Sequence, residues 1–372
     1  MNNLVFTGDV CFNGHFIDEF GNGRINFDES LKAIIQNSSG VIYNLEAPIV
    51  KPDFKVRNNQ KANLTNPENL FSLLPRANRT MYNLANNHSF DYGIDGLLHT
   101  MNCLKKNELH FLGVGLSHDK LYKKVVLELD DKKVHVYAFS INEGDSVRKN
   151  KGGVITDKLL KQLRNEFNMI PHEDVIILNS HIGEEYTLLP SPTKRKLFKS
   201  LAKSSRVDVI ISHHPHTPQG FEYYNDTLIC YSLGNFVFDY DSHKYYPYTD
   251  KGMVLELNFD KEKVVPSFYI VKINSTNYSL RLLQFSSLRL KDKLNNFTNY
   301  RVNWRRECHR IMYNRKNLPH GYSQVELKHK SIIKLVLSYR FYCKVIALIK
   351  DPYNRSVYWN AFWEKNFKNN SN

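Results

Sequence analysis

Two stretches, HIGEEY (181–186) and DVIISHHPHTPQGFEYYN (208–225), decide how the fold of this chain is interpreted. The second stretch begins with β-branched residues typical of a short buried strand, and three histidines follow that strand directly. Because His214 and His216 are two residues apart, an extended chain points both imidazoles to one face, and Pro215 between them restricts φ. Neutral imidazole is the commonest metal ligand among side chains. The pattern predicts metal or phosphate chemistry here, the alternative being surface or structural histidines.

Polar side chains also follow other predicted strands. Asp9 comes directly after NLVFT (3–7) and Gly8, and Glu46 ends the run VIYNLE (41–46). Because residues at the carboxyl ends of strands in an α/β sheet meet at one edge, these acids are predicted to lie close together. A turn or helix-cap role is the alternative for Asp9. The strand MYNLA (81–85) leads in the same way into a segment that contains carboxamides and a histidine.

Helix and strand patterns alternate along the chain, which predicts an α/β protein. Helices are predicted at 28–36 with Asp28 as its cap, 64–74, 94–107, 156–167 and 192–204. Further strands are predicted at 123–129 and 133–139, which read as a hairpin, and at 175–179, 207–211, 253–259 and 264–273.

Composition indicates a globular chain with a sizeable core. It has 372 residues, of which 42% are hydrophobic and 13% aromatic, enough for one large domain or two ordinary ones. The net charge of +14 lies in the tail: residues 281–372 hold 19 Lys and Arg against 5 Asp and Glu, whereas residues 1–280 hold 32 of each kind. This asymmetry predicts a neutral body that holds the chemistry and a basic tail that meets an anionic surface.

Cysteine usage and the N-terminal residues bear on location. The 5 cysteines are scattered and include no CxxC pair, which argues against a disulfide framework or a zinc finger and favours a reducing compartment. The segment MNNLVFTGDV (1–10) lacks the pattern of a secretory signal, and no run of about 18 uncharged apolar residues appears. The expected location is therefore cytoplasmic or peripheral to a membrane.

Seven blocks, taken in order, resemble the CapA family, the bacterial poly-γ-glutamate capsule biosynthesis proteins. They are FTGDV (6–10), YNLEAPIV (43–50), NLANNHSFDYGIDGLLHT (83–100), FLGVG (111–115), HIGEEY (181–186), SHHPHTPQGFEYYN (212–225) and YSLGNFVFD (231–239). The resemblance covers roughly residues 3–275 and extends to the calcineurin-like metallophosphoesterases. It implies an α/β fold of the metallophosphoesterase-like kind, in which two β-sheets form a β-sandwich and helices flank it. We accordingly predict a domain at 1–275 and a basic, aromatic-rich helical C-terminal extension at 276–372.

The resemblance also implies a metal site at the strand ends. One or two divalent ions (Mn, Zn, Fe or Mg) would be held by Asp9, Glu46, Asn87, His181, His214 and His216. Glu46 stands where a metal-bridging aspartate normally lies. The first motif lacks its histidine, because Cys11 occurs instead two residues after Asp9.

The predicted catalytic residues are His88 and Asp91, with His88 as general acid or base and Asp91 orienting it. Four residues are predicted in the second shell or at the substrate: Glu184, Glu185, His213 and Asn235. Solvated loop charges are the alternative for the two glutamates.

Two functions follow from the resemblance. The first is a metal-assisted hydrolase or transferase that acts on an anionic polymer or a phosphoester in capsule or poly-γ-glutamate biosynthesis. The second is a non-catalytic polymer-binding or scaffold subunit of a surface-polymer synthesis complex, which the missing first-motif histidine favours.

The tail supplies the remaining partner predictions. SIIKLVLSYRFYCKVIALIK (331–350) is predicted to form a helix with a basic face, which either lies on an anionic membrane surface or docks on the body. Aromatic side chains are interleaved with Lys and Arg in the tail, but no nucleic-acid motif accompanies them, so no nucleic acid is expected as a partner.

Overall fold

The computed structural model describes residues 2–12, 16, 25–51, 53–56, 64–130, 132–141, 146–260, 263–283, 297–316 and 357. The predicted tail helix at 331–350 lies outside these residues.

Within the described residues, strands and helices are numbered along the chain. The strands are β1 (Asn3–Cys11), β2 (Asn26–Phe27), β3 (Gly40–Leu45), β4 (Thr80–Asn83), β5 (His110–Leu112), β6 (Val114–Ser117), β7 (Lys120–Tyr122), β8 (Lys124–Leu129), β9 (Lys132–Ser140), β10 (Gly153–Val154), β11 (Val175–His181), β12 (Val209–His213), β13 (Pro218–Tyr224), β14 (Thr227–Leu233), β15 (Asn235–Phe238), β16 (Lys251–Phe259), β17 (Val264–Asn274) and β18 (Ser279–Leu283). The helices are α1 (Glu29–Gln36), α2 (Gly93–Lys106), α3 (Leu160–Phe167), α4 (Pro192–Ser204) and α5 (Tyr300–Lys316).

The larger sheet has the order β2-β18-β17-β16-β1-β3-β4-β5, and the short β15 pairs with β1. Strands β1, β3, β4 and β5 are parallel, whereas β16 to β18 join through antiparallel pairs. β1 is buried along its whole length, and its alternate side chains enter different cores, Val5 on one face and Leu4 and Phe6 on the other. A sheet covered on both faces explains why its strands read as continuous apolar runs.

The smaller main sheet has the order β13-β14-β12-β11-β9-β8, and the strands β10, β6 and β7 form a third, short sheet. In the smaller main sheet, the inner strands β14, β12, β11 and β9 are parallel, and the edge strands β13 and β8 are antiparallel to their neighbours. The pairing of β8 with β9 confirms the predicted hairpin. His181 and His213 are register partners at the carboxyl ends of β11 and β12.

The two main sheets pack face to face, and helices cover their outer faces. The shared core brings Phe6 and Ile42 of the larger sheet against Ile177 and Val209 of the smaller one. Helices α1 and α2 cover the larger sheet, and α3 and α4 cover the smaller one. This arrangement confirms the predicted α/β sandwich flanked by helices, and it brings the carboxyl ends of the parallel strands of both sheets to one edge.

The prediction of a helix at 64–74 is wrong. The structure has only a short 3₁₀ turn there, Leu70–Ser72. The start of the segment is held extended by Asn66, whose Oδ1 accepts from the Phe12 amide at 2.7 Å and whose Nδ2 donates to the Ala47 carbonyl at 2.9 Å. These long-range hydrogen bonds outweigh the local helix preference of the sequence.

Chain beyond the predicted domain boundary packs onto the body. β18 continues the larger sheet to Leu283, and α5 buries Trp304, Cys308 and Ile311 in a cluster that also contains Tyr186. The placement of a domain boundary between residues 275 and 276 stays a prediction. The cysteines at positions 11, 103, 230 and 308 are buried free thiols. In the described part of the chain, no helix combines the length and apolar character needed to cross a membrane.

Candidate metal centre

Asp9 is positioned by the close approach of β1 to Gly234, which lies between β14 and β15. A Cβ on Gly8 would lie 2.1 Å from the Gly234 carbonyl oxygen, so only glycine fits at position 8. The Asp9 amide donates to that same carbonyl at 2.8 Å. The register of β1 shifts on both sides of Asp9, against β3 and against β15, and such irregularities re-aim a side chain at the end of a strand. The fully buried Asp9 carboxylate therefore points to the sheet edge.

Glu46 is shared by two groups of candidate ligands. It directly follows β3 and is completely buried. One group joins Glu46 to His181 and His214, and the other joins it to Asp9 and His216; within each group the donor atoms lie within 4.8 Å of one another. Oε1 of Glu46 lies 3.3 Å from His181 Nε2 and 3.5 Å from His216 Nε2. A carboxylate in this position is suited to bridge two ions.

The spacing of these donor atoms resembles that of ligands around an ion. Two ligands on a tetrahedral ion with bonds of about 2.0–2.1 Å are separated by about 3.3 Å. His214 Nδ1 lies 3.1 Å from His181 Nε2, and His216 Nε2 lies 3.5 Å from Glu46 Oε1. Among the described residues, Asp9 Oδ2 and both Glu46 oxygens are buried without a hydrogen-bond partner. Buried carboxylate oxygens are normally satisfied, so these residues fit a divalent cation.

The loop after β12 is held in a strained conformation. His214 has φ of 93° and His216 has φ of 55°, both in the left-handed region that non-glycine residues rarely adopt. Such backbone costs on the order of 1–3 kcal/mol per residue and clusters at functional sites. Here it turns two imidazoles, from neighbouring positions of one short loop, toward the same carboxylate, Glu46.

The two buried carboxylates influence each other's ionisation. Burial and the neighbouring charge of Asp9 raise the pKa of Glu46 well above its usual range. Burial opposes ionisation of Asp9 as well, but the imidazoles of His213 and His216 hold its pKa well below the usual range. Without a cation, ionisation of Asp9 is therefore favoured over ionisation of Glu46. A divalent ion held by Asp9 and Glu46 would favour ionisation of both carboxyl groups.

The imidazoles divide into two kinds. Burial, followed by the neighbouring His214, lowers the pKa of His181 well below its usual value, which keeps the ring neutral and able to ligate. Burial lowers the pKa of His216 as well, but contact with Asp9 outweighs burial, so the pKa of His216 is raised above its usual value. Nδ1 of His216 lies 3.0 Å from Asn235 Oδ1. Because that amide oxygen only accepts, Nδ1 carries a proton in this contact, and Nε2 is left facing Glu46.

The predicted catalytic pair is assembled beside this group. His88 Nδ1 lies 2.7 Å from Asp91 Oδ2, and both side chains are buried. A carboxylate accepts hydrogen bonds only, so Nδ1 donates and Nε2 is left available for proton transfer. Asn86 Nδ2 donates to the Leu45 carbonyl at 2.7 Å and so ties this loop to the end of β3, next to Glu46.

Of the remaining predicted residues, Glu184 and Glu185 belong to neither group of candidate ligands, and the role of Asn87 as a ligand stays a prediction. Asn87 is half-buried, and its Oδ1 has no hydrogen-bond partner among the described residues. Glu184 is buried, and its charge acts on the buried Lys194. Glu185 is half-buried, and its charge raises the pKa of both Glu46 and His216, which places it near them.

Sequence reasoning missed three polar residues that support the site. Asn44 Nδ2 donates to Asp9 Oδ1 at 2.7 Å and lies 3.3 Å from His181 Nδ1, and Asn83 Nδ2 donates to Asn44 Oδ1 at 2.8 Å. Nδ1 of the buried His243 lies 3.4 Å from Nδ2 of Asn235. A polar residue inside the apolar strand VIYNLE was a usable signal for Asn44, whereas nothing in the local pattern singled out His243.

Cys11 does not replace the missing first-motif histidine. Its sulfur lies 3.7 Å from the Thr65 carbonyl oxygen, and its side chain packs in a small apolar cluster with Ala47, Leu64 and Phe238. Burial, reinforced by the charge of Glu46, raises the pKa of this thiol well above its usual range. The thiol therefore stays protonated and is a poor ligand.

Comparison with known proteins identifies the family of this chain. Residues 3–240 match the model of the family described as bacterial capsule synthesis protein PGA_cap. The capsule biosynthesis protein CapA of Bacillus anthracis is 31% identical over 249 residues, which cover 63% of this chain and 59% of that protein. The PGA biosynthesis protein CapA of Bacillus subtilis (strain 168) is 30% identical over 242 residues, covering 63% and 62%. The chain thus spans about three fifths of the length of these relatives.

Among solved structures, the calcineurin-like phosphoesterase YfkN from Bacillus subtilis is similar with a TM-score of 0.39 and 13% identity, covering 80% of this chain and 98% of that chain. The family match extends from the beginning of β1 through β15, and it includes every residue of the two ligand groups. The chain belongs to the bacterial capsule synthesis protein PGA_cap family.

Proposed function

We propose that this chain is a metal-dependent hydrolase or transferase that acts on a phosphoester or an anionic polymer, poly-γ-glutamate among them, during capsule synthesis. The observation that carries the proposal is the position of Glu46 between two groups of donors, His181 with His214 and Asp9 with His216. One or two divalent ions, Mn, Zn, Fe or Mg, fit these oxygen and imidazole donors. The names of the two relatives supply the association with capsule and PGA synthesis.

The ions and the protein divide the chemistry between them. When bound, divalent ions lower the pKa of a coordinated water and offset negative charge on a phosphoryl or carboxyl group. Asp91 fixes the His88 ring with Nε2 available, so that His88 gives a proton to, or takes one from, the reacting oxygen. Asn235 accepts a hydrogen bond from His216 Nδ1 and so orients that imidazole, and Asn44 donates to Asp9 Oδ1 and so orients that carboxylate.

Aromatic side chains border the site. The Tyr186 ring stacks on Tyr246 with centroids 3.9 Å apart and lies 6.1 Å from the His216 ring. These rings reduce the access of water from that side, which strengthens electrostatic interactions inside the pocket.

A non-catalytic, polymer-binding scaffold is the second candidate. The observation in its favour is the turn of Cys11 away from the ligands, which leaves the first motif without its second donor. On this alternative, the pocket binds the polymer or a single ion without turnover.

Turnover assays separate the two functions. The full chain is stripped with EDTA, reloaded with Mn²⁺ or Zn²⁺, and assayed with bis(p-nitrophenyl) phosphate and with poly-γ-glutamate. The proposed function predicts metal-dependent turnover of at least one of them, which His88→Ala abolishes without loss of metal. Metal-loaded protein that binds poly-γ-glutamate but turns over neither substrate supports the scaffold.

A further inference from the structure

Among the described residues, a third group of candidate ligands lies outside the centre around Glu46. It joins Glu68, which precedes the 3₁₀ turn Leu70–Ser72, to His99 and Cys103 of α2. The donor atoms of these three side chains lie within 4.8 Å of one another, and none of the three side chains belongs to the other two groups. The chemistry proposed above uses none of them.

Nε2 of His99 is the centre of this third group. It lies 2.7 Å from Glu68 Oε1 and 3.5 Å from Cys103 Sγ. A ring nitrogen carries either a hydrogen or a lone pair, so it cannot donate to the carboxylate and accept from the thiol at the same time. A cation bound by the nitrogen, the carboxylate and a thiolate would satisfy all three groups together.

The spacing of the sulfur and the nitrogen fits a zinc ion. With bonds of about 2.3 Å to sulfur and about 2.0–2.1 Å to nitrogen, two such ligands on a tetrahedral ion are separated by about 3.6 Å, close to the 3.5 Å between Cys103 Sγ and His99 Nε2. The 2.7 Å from Glu68 Oε1 to His99 Nε2 is shorter than the separation of about 3.3 Å between an oxygen and a nitrogen ligand. Glu68 has room to adjust, because 53% of its side chain is exposed.

Helix α2 presents its two ligands on one face. His99 and Cys103 are four residues apart, so their side chains are neighbours on the helix surface. The Phe54 ring packs edge-on against the His99 ring with centroids 5.2 Å apart, which restricts rotation of the imidazole. Only 18% of the His99 side chain is exposed, and Cys103 is buried. Two of the three donors are therefore held in place and partly shielded from water.

The two parts of the group are anchored to the same short stretch of chain. Thr100 Oγ1 on α2 accepts from the Ile49 amide at 2.9 Å. The Asn66 amide, two residues before Glu68, donates to the Pro48 carbonyl at 2.8 Å. These hydrogen bonds bring the helix and the segment together without using any of the three donor side chains.

We propose that Glu68, His99 and Cys103 bind a zinc ion, with water as the fourth ligand, and that this ion clips the 64–74 segment to α2. A thiolate and an imidazole together favour Zn²⁺ over Mg²⁺ or Mn²⁺, which prefer oxygen donors. Binding displaces the thiol proton of Cys103 to solvent. The site shares no residue with the candidate metal centre, and it does not depend on the function proposed for that centre.

Cobalt substitution of the full chain tests this site. Co²⁺ occupies tetrahedral zinc sites, and its bond to a thiolate produces a charge-transfer absorption in the near ultraviolet that carboxylate and imidazole ligands do not produce. The reduced, EDTA-stripped chain is expected to develop this band on titration with Co²⁺ and to lose it when Zn²⁺ is added. Cys103→Ala is expected to lose the band. Cys11→Ala, which removes the buried thiol near Glu46, is expected to keep it.

A second variant changes an exposed side chain and so keeps the fold intact. Glu68→Gln is expected to retain the band, because the thiolate stays in place. The Co²⁺ dissociation constant that is measured from the band should rise by more than about 10-fold, since even changes behind the ligands of a metal cost 10–100-fold. Glu128→Gln, at an exposed position of β8 in the smaller sheet, is the matched control and should keep the wild-type constant.

The band reports this site alone and does not depend on turnover. The proposal is overturned if the wild-type chain develops no thiolate band at saturating Co²⁺, if Cys103→Ala retains the band, or if Glu68→Gln binds Co²⁺ with the wild-type constant. Both alanine variants exchange a buried thiol for a methyl group, so a loss caused by packing alone should appear in both. A band that only Cys103→Ala loses, with weaker binding in Glu68→Gln, supports the zinc site even if the chain shows no turnover.

Discussion

Oε1 of Glu46 lies 3.3 Å from Nε2 of His181, although the two side chains come from different sheets. Glu46 follows β3 of the larger sheet and His181 ends β11 of the smaller one. The sandwich therefore converges at one edge on a pair of groups that a cation can join. Loss of either group is expected to affect metal binding and the cohesion of the two sheets together.

Glu46→Gln is expected to reduce the number of bound divalent ions and to abolish the thermal stabilisation that metal provides. A ligand that binds only the folded chain contributes about 2.7 kcal/mol at 100 times its dissociation constant. The check is the melting temperature with and without Mn²⁺. Glu256→Gln is the matched control, because Glu256 accepts hydrogen bonds from Asn3 and Tyr269 at the other end of β1. An equal Mn²⁺-dependent shift in Glu46→Gln and wild type would contradict a role for Glu46 as ligand.

Asp91→Asn is expected to lower kcat by about 10²–10⁴-fold while leaving the metal content unchanged. The amide no longer enforces a proton on His88 Nδ1, so the ring is free to adopt the tautomer that blocks Nε2. Steady-state kinetics on the substrate that the wild type turns over, together with elemental analysis, check this. Unchanged kcat in a fully metal-loaded variant would remove His88 and Asp91 from the proposed chemistry.

Lys194→Met is expected to flatten the pH dependence of stability. Burial lowers the pKa of Lys194 to about 7, although Glu184 acts in the opposite direction, whereas the unfolded chain has a lysine pKa of about 10.4. Between these values the unfolded chain binds the proton that the folded chain has released. This group therefore makes the free energy of unfolding rise with pH from about 7 to about 10.

Urea unfolding at pH 7 and at pH 9 measures this contribution. The difference between the two pH values should be smaller in Lys194→Met than in wild type. Lys196→Met, on the exposed side of the same helix, should keep the wild-type difference. The assignment is wrong if both variants retain it.

Glu307→Ala is expected to loosen the segment that borders the candidate metal centre. The buried Glu307 carboxylate accepts from the Leu188 amide at 2.6 Å, and Arg310 donates to the Tyr186 carbonyl at 2.7 Å. Removal of the acceptor leaves a backbone donor unsatisfied, at a cost of about 1–3 kcal/mol. Hydrogen exchange at residues 186–190 should accelerate in Glu307→Ala. It should stay at the wild-type rate in Arg306→Ala, which changes an exposed neighbouring residue. Equal protection in both variants would show that α5 does not brace this segment.

The sequence was sufficient to predict the elements that carry the candidate ligands, because each is a continuous apolar run followed by a polar group. VDVII and VIIL correspond to β12 and β11, and the hairpin of β8 with β9 follows from alternation. Asp28 caps α1 as predicted, with Oδ1 accepting from the Ser30 amide at 2.9 Å. In these segments the local preference and the final structure agree.

The failures share a physical cause, which is contact between distant segments. Asn66 holds the 64–74 segment extended through bonds to Phe12 and Ala47, and no local pattern contains that information. The support that Asn44 gives to Asp9 depends on the register of β1 against β3, which shifts between Phe6 and Asp9. Strand register and bulges are set by packing across the sheet, so a single sequence does not reveal them.

The most direct test is a crystal of the wild-type chain grown with Mn²⁺ and measured for anomalous scattering. The difference map should contain one or two peaks in this pocket, each within bonding distance of Glu46 and lying either toward His181 and His214 or toward Asp9 and His216. A map with no peak in the pocket, or with ions that Glu46 does not contact, would contradict the account.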